Sequence, residues 1–244
     1  MAGKWTVQKS EHYENTAFIL AYLLEEFSRI FGSDVMTNED CIVYNDISSQ
    51  CPRFIHSSPL SIRLHQKSLM FWSQTIFQLS HEMCHYAMHQ TKDNKDITLS
   101  WFEEIVCEAV SLYALEYASK EWSACKLSQY SPDFASNHKK YLYDELKSDY
   151  TDGFKVCDSV DKLLLYEVQK KPENERETHC EERNIIYATI SKNPLELKSV
   201  LNYTKYIENN GVTIDFDRWI QDNPCNLLQE LKKIQPVKIL IAQN

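Results

Sequence analysis

Between Leu69 and Gln90 the chain runs twenty-two residues without glycine or proline, and near the end of that run stands His81-Glu82-Met83-Cys84-His85. The run reads as one long helix, because nothing in it breaks the backbone ladder. Residues four apart on such a helix differ by about 40° in azimuth, so His81 and His85 project side by side. Two imidazoles so placed can hold one zinc ion at about 2.0–2.1 Å each. Glu82 sits one step round from His81 and need not touch the ion; it is placed to act as the general base of a hydrolysis. Cys84 points roughly 60° away from His81 and is expected to pack in the core.

A catalytic zinc requires three protein ligands and one open position. Eighteen residues (86–103) separate His85 from Glu104, which lies early in a second helix expected from Ser100 to about Ser123. Ser100 is read as its N-cap, with Glu103 at capping-box spacing. Glu104 is assigned as third ligand. Only it, and not its neighbour Glu103, has an acid one turn further along the same face, Glu108, suited to orient a ligating histidine. His89 is the other alternative, but a straight helix rarely brings three of its own residues onto one tetrahedral ion.

The spacing HExxH, eighteen residues, then Glu in the context WFEEIVCEAVS resembles the gluzincin branch of zinc metallopeptidases, which includes thermolysin and the alanyl-aminopeptidase type. The resemblance covers about residues 60–120. It implies Zn2+ held by His81, His85 and Glu104, Glu82 as catalytic base, and Glu108 orienting His81. It also implies a zincin-like fold, in which a helix and a small sheet precede the active-site helix and an edge strand lines the substrate cleft. The helix at 13–31 and the strand at 61–66 are the segments expected to fill those places. The chain departs from the pattern in reading FEEIVCEA instead of Asn-Glu-Gly or Asn-Glu-Ala, and it lacks the glycine-rich aminopeptidase signature, which leaves exo- or endopeptidase action open. His138, Tyr166, His179 and Tyr187 are the candidates for polarising the scissile carbonyl. The metzincin branch is excluded, since its third histidine would stand at Thr91. The glycine-rich and cysteine segments of peptide deformylase, which would have drawn in Cys41, are missing.

The rest of the chain fits a single α+β domain, mainly α. The zincin core would span about 13–126 and a helical C-terminal part about 127–244. Apolar residues recur at three- and four-residue spacing over 13–31, with Gly32 as a stop. CIVY (41–44), RFIH (53–56) and SIRLHQ (61–66) read as strands, the last alternating Ile62, Leu64 and Gln66 against Arg63 and His65. TKDNKD (91–96) reads as a loop. Helices are expected over roughly 133–149, 158–169, 176–190, 194–208 and 223–233. The stretch 167–183, with ten charges in seventeen residues, reads as an exposed turn. Trp72, Phe77 and Tyr86 form an aromatic stripe assigned to core or cleft wall. Four glycines in 244 residues are too few for a Rossmann or P-loop site.

A net charge of −9, without a basic stripe, argues against nucleic acid. No apolar run is long enough to span a membrane, and the first residues lack the apolar segment of a signal peptide, so the reading is cytoplasmic. Eight scattered cysteines with no CxxC pair read as reduced thiols. The expected function is zinc-dependent hydrolysis of a peptide or protein substrate, with a dedicated intracellular protease acting on a specific protein or peptide as its narrower form. The alternative is a helical interaction or regulatory protein with a structural or vestigial zinc site.

Overall fold

The computed structural model describes residues 3–147, 158–169 and 179–237. Within them the chain is mainly helical, with one four-stranded sheet. The strands are β1 (Trp5–Val7), β2 (Cys41–Asn45), β3 (Arg53–Ile55) and β4 (Leu60–Leu64), in spatial order β1-β2-β4-β3. β1, β2 and β4 run parallel, and β3 lies antiparallel on β4 as an edge. Alternation along β4 places Leu60, Ile62 and Leu64 in the core, as its pattern requires. The strand expected to line a cleft is therefore internal, and β1 and β3 form the two edges. β1 had no sequence signal beyond three residues, too few to show a period.

The helix α1 (Tyr13–Phe31) ends at Gly32, whose φ of 107° needs a residue without Cβ. A short α2 (Ser33–Met36) leads into β2. After β4 come the two long helices, α3 (Trp72–Thr91) and α4 (Ser100–Glu121). Trp72, Phe77 and Tyr86 are all buried in the core. Gln78 docks α3 on the sheet: its side-chain amide donates to His65 O (2.9 Å) and accepts from His65 N (3.0 Å), imitating a strand partner one turn before His81. α4 is buried nearly all round, with Ile105, Val106, Cys107, Ala109, Val110 and Leu112 each at 1% exposure or less. A helix apolar on every side belongs at the centre of a domain, and α4 lies against α3, α5 (Ala135–Leu146) and α7 (Cys180–Ile190). One hydrophobic cluster runs from Ile19 to Val237, so the core and the C-terminal part share it.

The start of α4 is built differently from its sequence reading. Ser100 is the first helical residue, Leu99 is the N-cap, and no local side chain caps the end. The cap comes from α6 (Val160–Gln169): the Glu167 carboxylate accepts from Ser100 N (3.0 Å) and Trp101 N (2.9 Å). This places a negative charge on the helix's positive end. Glu167→Ala is expected to cost about 1–2 kcal/mol, read as a lower urea midpoint with an unchanged slope.

Further on, the chain departs from expectation in three places. Residues 194–208 form two 3-10 segments, Pro194–Val200 and Tyr203–Tyr206, and not one α-helix. α8 (Phe216–Asp222) was not anticipated; α9 (Asn226–Ile234) was. Of the charged stretch 167–183, residues 170–178 lie outside the described residues, and its end is buried: His179, Cys180, Glu182 and Arg183 sit inside at the start of α7.

His138 is wholly buried between Trp122 and Phe134, with its Nδ1 2.9 Å from Ser73 Oγ. Burial pushes its pKa down to about 4. Above pH 6.5 the imidazole is neutral in both folded and unfolded chains. Between pH 6.5 and about 4 only the unfolded chain takes the proton, so stability falls as pH falls, by up to about 3 kcal/mol from this residue. Urea midpoints at pH 7 and 4.5 should therefore differ less for His138→Gln than for the unaltered protein.

Candidate metal centre

α3 and α4 lie side by side and bring His81, His85 and Glu104 together. The two imidazoles face each other through Nε2, and the Glu104 carboxylate spans them with one oxygen towards each. His81 Nε2 is 3.1 Å from His85 Nε2, His81 Nε2 is 3.2 Å from Glu104 Oε2, and His85 Nε2 is 3.3 Å from Glu104 Oε1. Taking one donor atom from each residue, the three lie within 4.8 Å of one another, close enough for a single ion to draw them in to the roughly 3.3 Å that separates ligands about 2.0–2.1 Å from a tetrahedral centre. Among the described residues this is the one group of three His, Cys, Asp or Glu side chains converging in this way. The His81 side chain is 4% exposed, while His85 and Glu104 keep 14% and 21%, so the face is reached from solvent.

The electrostatics favour a positive charge there. Burial opposes charge on His85, yet Glu104 and Glu103 together hold its pKa well above the ordinary imidazole value. Burial likewise opposes charge on Glu104, and the two histidines reverse it, holding this carboxyl well below its usual range. A divalent cation would take the place of that proton, so the donor set fits a metal.

Glu103 is not a competing ligand. Its Oε2 lies 3.1 Å from Nδ1 of His85, the nitrogen facing away from the three donors, and so fixes the ring's tautomer with Nε2 free to coordinate. Its Oε1 meets Lys92 Nζ at 2.5 Å and accepts from the Tyr203 hydroxyl. Burial works against charge on Glu103 as well, but His85 and Lys92 bring its pKa down to about 2. Burial and the neighbouring Glu103 push the Tyr203 phenol far up, which keeps it a donor.

Glu108 does not orient His81. It is wholly buried, and its Oε2 faces Arg183 of α7 (3.3 Å) and His179 just before it (3.8 Å), while Nδ1 of His81 makes no hydrogen bond among the described residues. One helical turn sets Glu108 on the same side of α4 as Glu104, but at the level of α7 instead of the first histidine. His89 does not join the donors either; its Nδ1 lies 3.1 Å from that of His56.

Glu82 is 4% exposed, and its carboxylate makes no hydrogen bond or ion pair among the described residues. Cys84 is fully buried in the core. Of the four residues expected to polarise a carbonyl, His138 sits by Ser73, two turns of α3 before His81. Tyr187 faces Glu116 and Ser191, three turns of α4 past Glu104. His179 has no exposed surface. Tyr166 is on α6, beside the cap of α4.

Lys92 and Tyr203 went unread in the sequence. Lys92 stood in a polar run that looked like solvated loop, yet it is 5% exposed. Tyr203 reaches Glu103 across one hundred positions, a distance that no local pattern encodes. Comparison with known protein families, curated proteins and solved structures finds no match to this chain.

Proposed function

We propose that this chain is a zinc-dependent peptidase with a zincin-like core, related in arrangement to the gluzincins. The observation that carries the reading is the convergence of His81, His85 and Glu104, with Glu82 next to His81 on α3 and its carboxylate without a hydrogen-bond or ion-pair partner among the described residues. Zinc suits a donor set of two imidazoles and one carboxylate, and when bound it polarises a carbonyl and acidifies water. His81, His85 and Glu104 hold the ion, and Glu103 fixes the ring of His85. Glu82 takes the proton of the attacking water and returns it to the leaving amine. The partial exposure of His85 and Glu104 supports an open coordination position, which a structural site would close. The free edge of β3 offers backbone partners to an extended peptide.

The substrate is a peptide or a protein segment. The test is cleavage of an unbiased peptide library by the zinc-loaded protein, with and without a chelator. Cleavage that stops on chelation and returns with zinc supports the reading. Protein carrying one zinc per chain but cleaving nothing would point instead to a structural or vestigial site. No helix among the described residues is long and apolar enough to cross a membrane.

A further inference from the structure

One turn beyond His85 on α3, a second pair of imidazoles meets across elements. His56 follows the edge strand β3, and His89 lies on α3; their Nδ1 atoms are 3.1 Å apart and their ring centroids 4.7 Å apart. The proposed zinc pair, His81 and His85, has the same nitrogen separation, 3.1 Å, and a centroid distance of 4.9 Å. We propose that His56 and His89 form a second, weaker site for a borderline transition-metal cation such as Zn2+ or Cu2+, at the rim of the first.

The geometry allows it directly. An ion about 2.1 Å from both nitrogens would see them at an angle of roughly 95°, within the range of imidazole sites. The rings are fixed before any ion arrives: His89 is 4% exposed, and Phe54 packs on both, 4.7 Å from His56 and 5.4 Å from His89. His56 is exposed, so water can complete the coordination, which is why this site is weaker than one with a carboxylate. Of the cations acting on the pair, Lys92 is matched by Glu103 and Lys95 by Glu39, which offsets part of their repulsion on an arriving ion, and Arg53 of β3 acts on His56 least. Burial, then neighbouring positive groups, also lower the pKa of both imidazoles, to about 4 in His89. Both rings are therefore neutral and able to coordinate at pH 7. A hydrogen bond between two neutral imidazoles explains their contact but leaves one nitrogen lone pair shared; a cation uses both.

The experiment is zinc uptake by equilibrium dialysis of the full chain, stripped of metal, with His56→Ala, His89→Gln and His85→Ala beside it. The unaltered protein should take two equivalents, one tight and one at higher free zinc. His56→Ala and His89→Gln should keep only the tight one, and His85→Ala only the weaker one. In the copper-loaded His85→Ala protein, the electron paramagnetic resonance signal should show two imidazole nitrogens and lose them when His56 is also replaced. A single equivalent in the unaltered protein, or two retained in His56→Ala, overturns the proposal. The first site is judged separately, by the tight equivalent and its loss in His85→Ala.

Discussion

On the proposed mechanism, Glu82→Gln is expected to lower peptide hydrolysis by about a thousandfold and to leave one zinc per chain in place. The size follows from the role: a positioned general base contributes on the order of 10²–10⁴ in rate. Glutamine keeps the shape of the side chain and removes the basic oxygen. The fold has little reason to respond, because the Glu82 carboxylate has no hydrogen-bond or ion-pair partner among the described residues to lose. Stability should stay within about 0.5 kcal/mol. Metal should stay as well, since the three converging donors do not include Glu82. Parallel measurement of turnover, zinc content and urea midpoint separates the possibilities. Retained turnover with lost metal would reverse the assignment of Glu82 and make it a ligand.

The second large effect is on stability. Lys92→Met should destabilise the protein by about 3–5 kcal/mol, the cost of leaving one member of a buried ion pair without the other. The Lys92 side chain is 1% exposed; its ammonium lies 2.5 Å from Glu103 Oε1, donates to Thr98 Oγ1 (3.3 Å) and sits 5.6 Å above the Tyr203 ring. Methionine fills much of the same space, so the loss reports the charge more than the packing. Adding Glu103→Leu should recover part of the loss, because replacing both charges removes the uncompensated carboxylate. It should also weaken zinc by about 10–100-fold, since His85 then loses the group that fixes its tautomer. A cost below about 1 kcal/mol for Lys92→Met would mean that Lys92 is solvated and that Glu103 is balanced by His85 alone.

Legibility in the sequence followed the range of the interactions involved. α1 and α3, and the strands at 41, 53 and 61, carry periodicities that local residues enforce, and they stand within a few residues of where the patterns put them. The three converging donors were legible because helix geometry fixes the first two and the second helix brings the third. What failed was set by partners far away in the chain. Ser100 looked like a cap, but Glu167 supplies it from sixty-seven positions on. Glu108 looked like the partner of His81, but Arg183 of α7 takes its carboxylate, seventy-five positions away. Glu103 looked like a capping-box acid; its side chain instead turns inward to His85, Lys92 and Tyr203. Polar side chains choose partners by three-dimensional proximity, and nothing in a local window reports that.

The central claim is that His81, His85 and Glu104 hold one zinc ion. It is tested most directly by metal analysis of the full chain, purified and dialysed against low free zinc, beside His85→Ala and Glu104→Ala. The account predicts about one tightly held zinc per chain in the unaltered protein and its loss or marked weakening in both variants. No metal in the unaltered protein after reconstitution with zinc at neutral pH, or tight zinc retained in both variants, would contradict it.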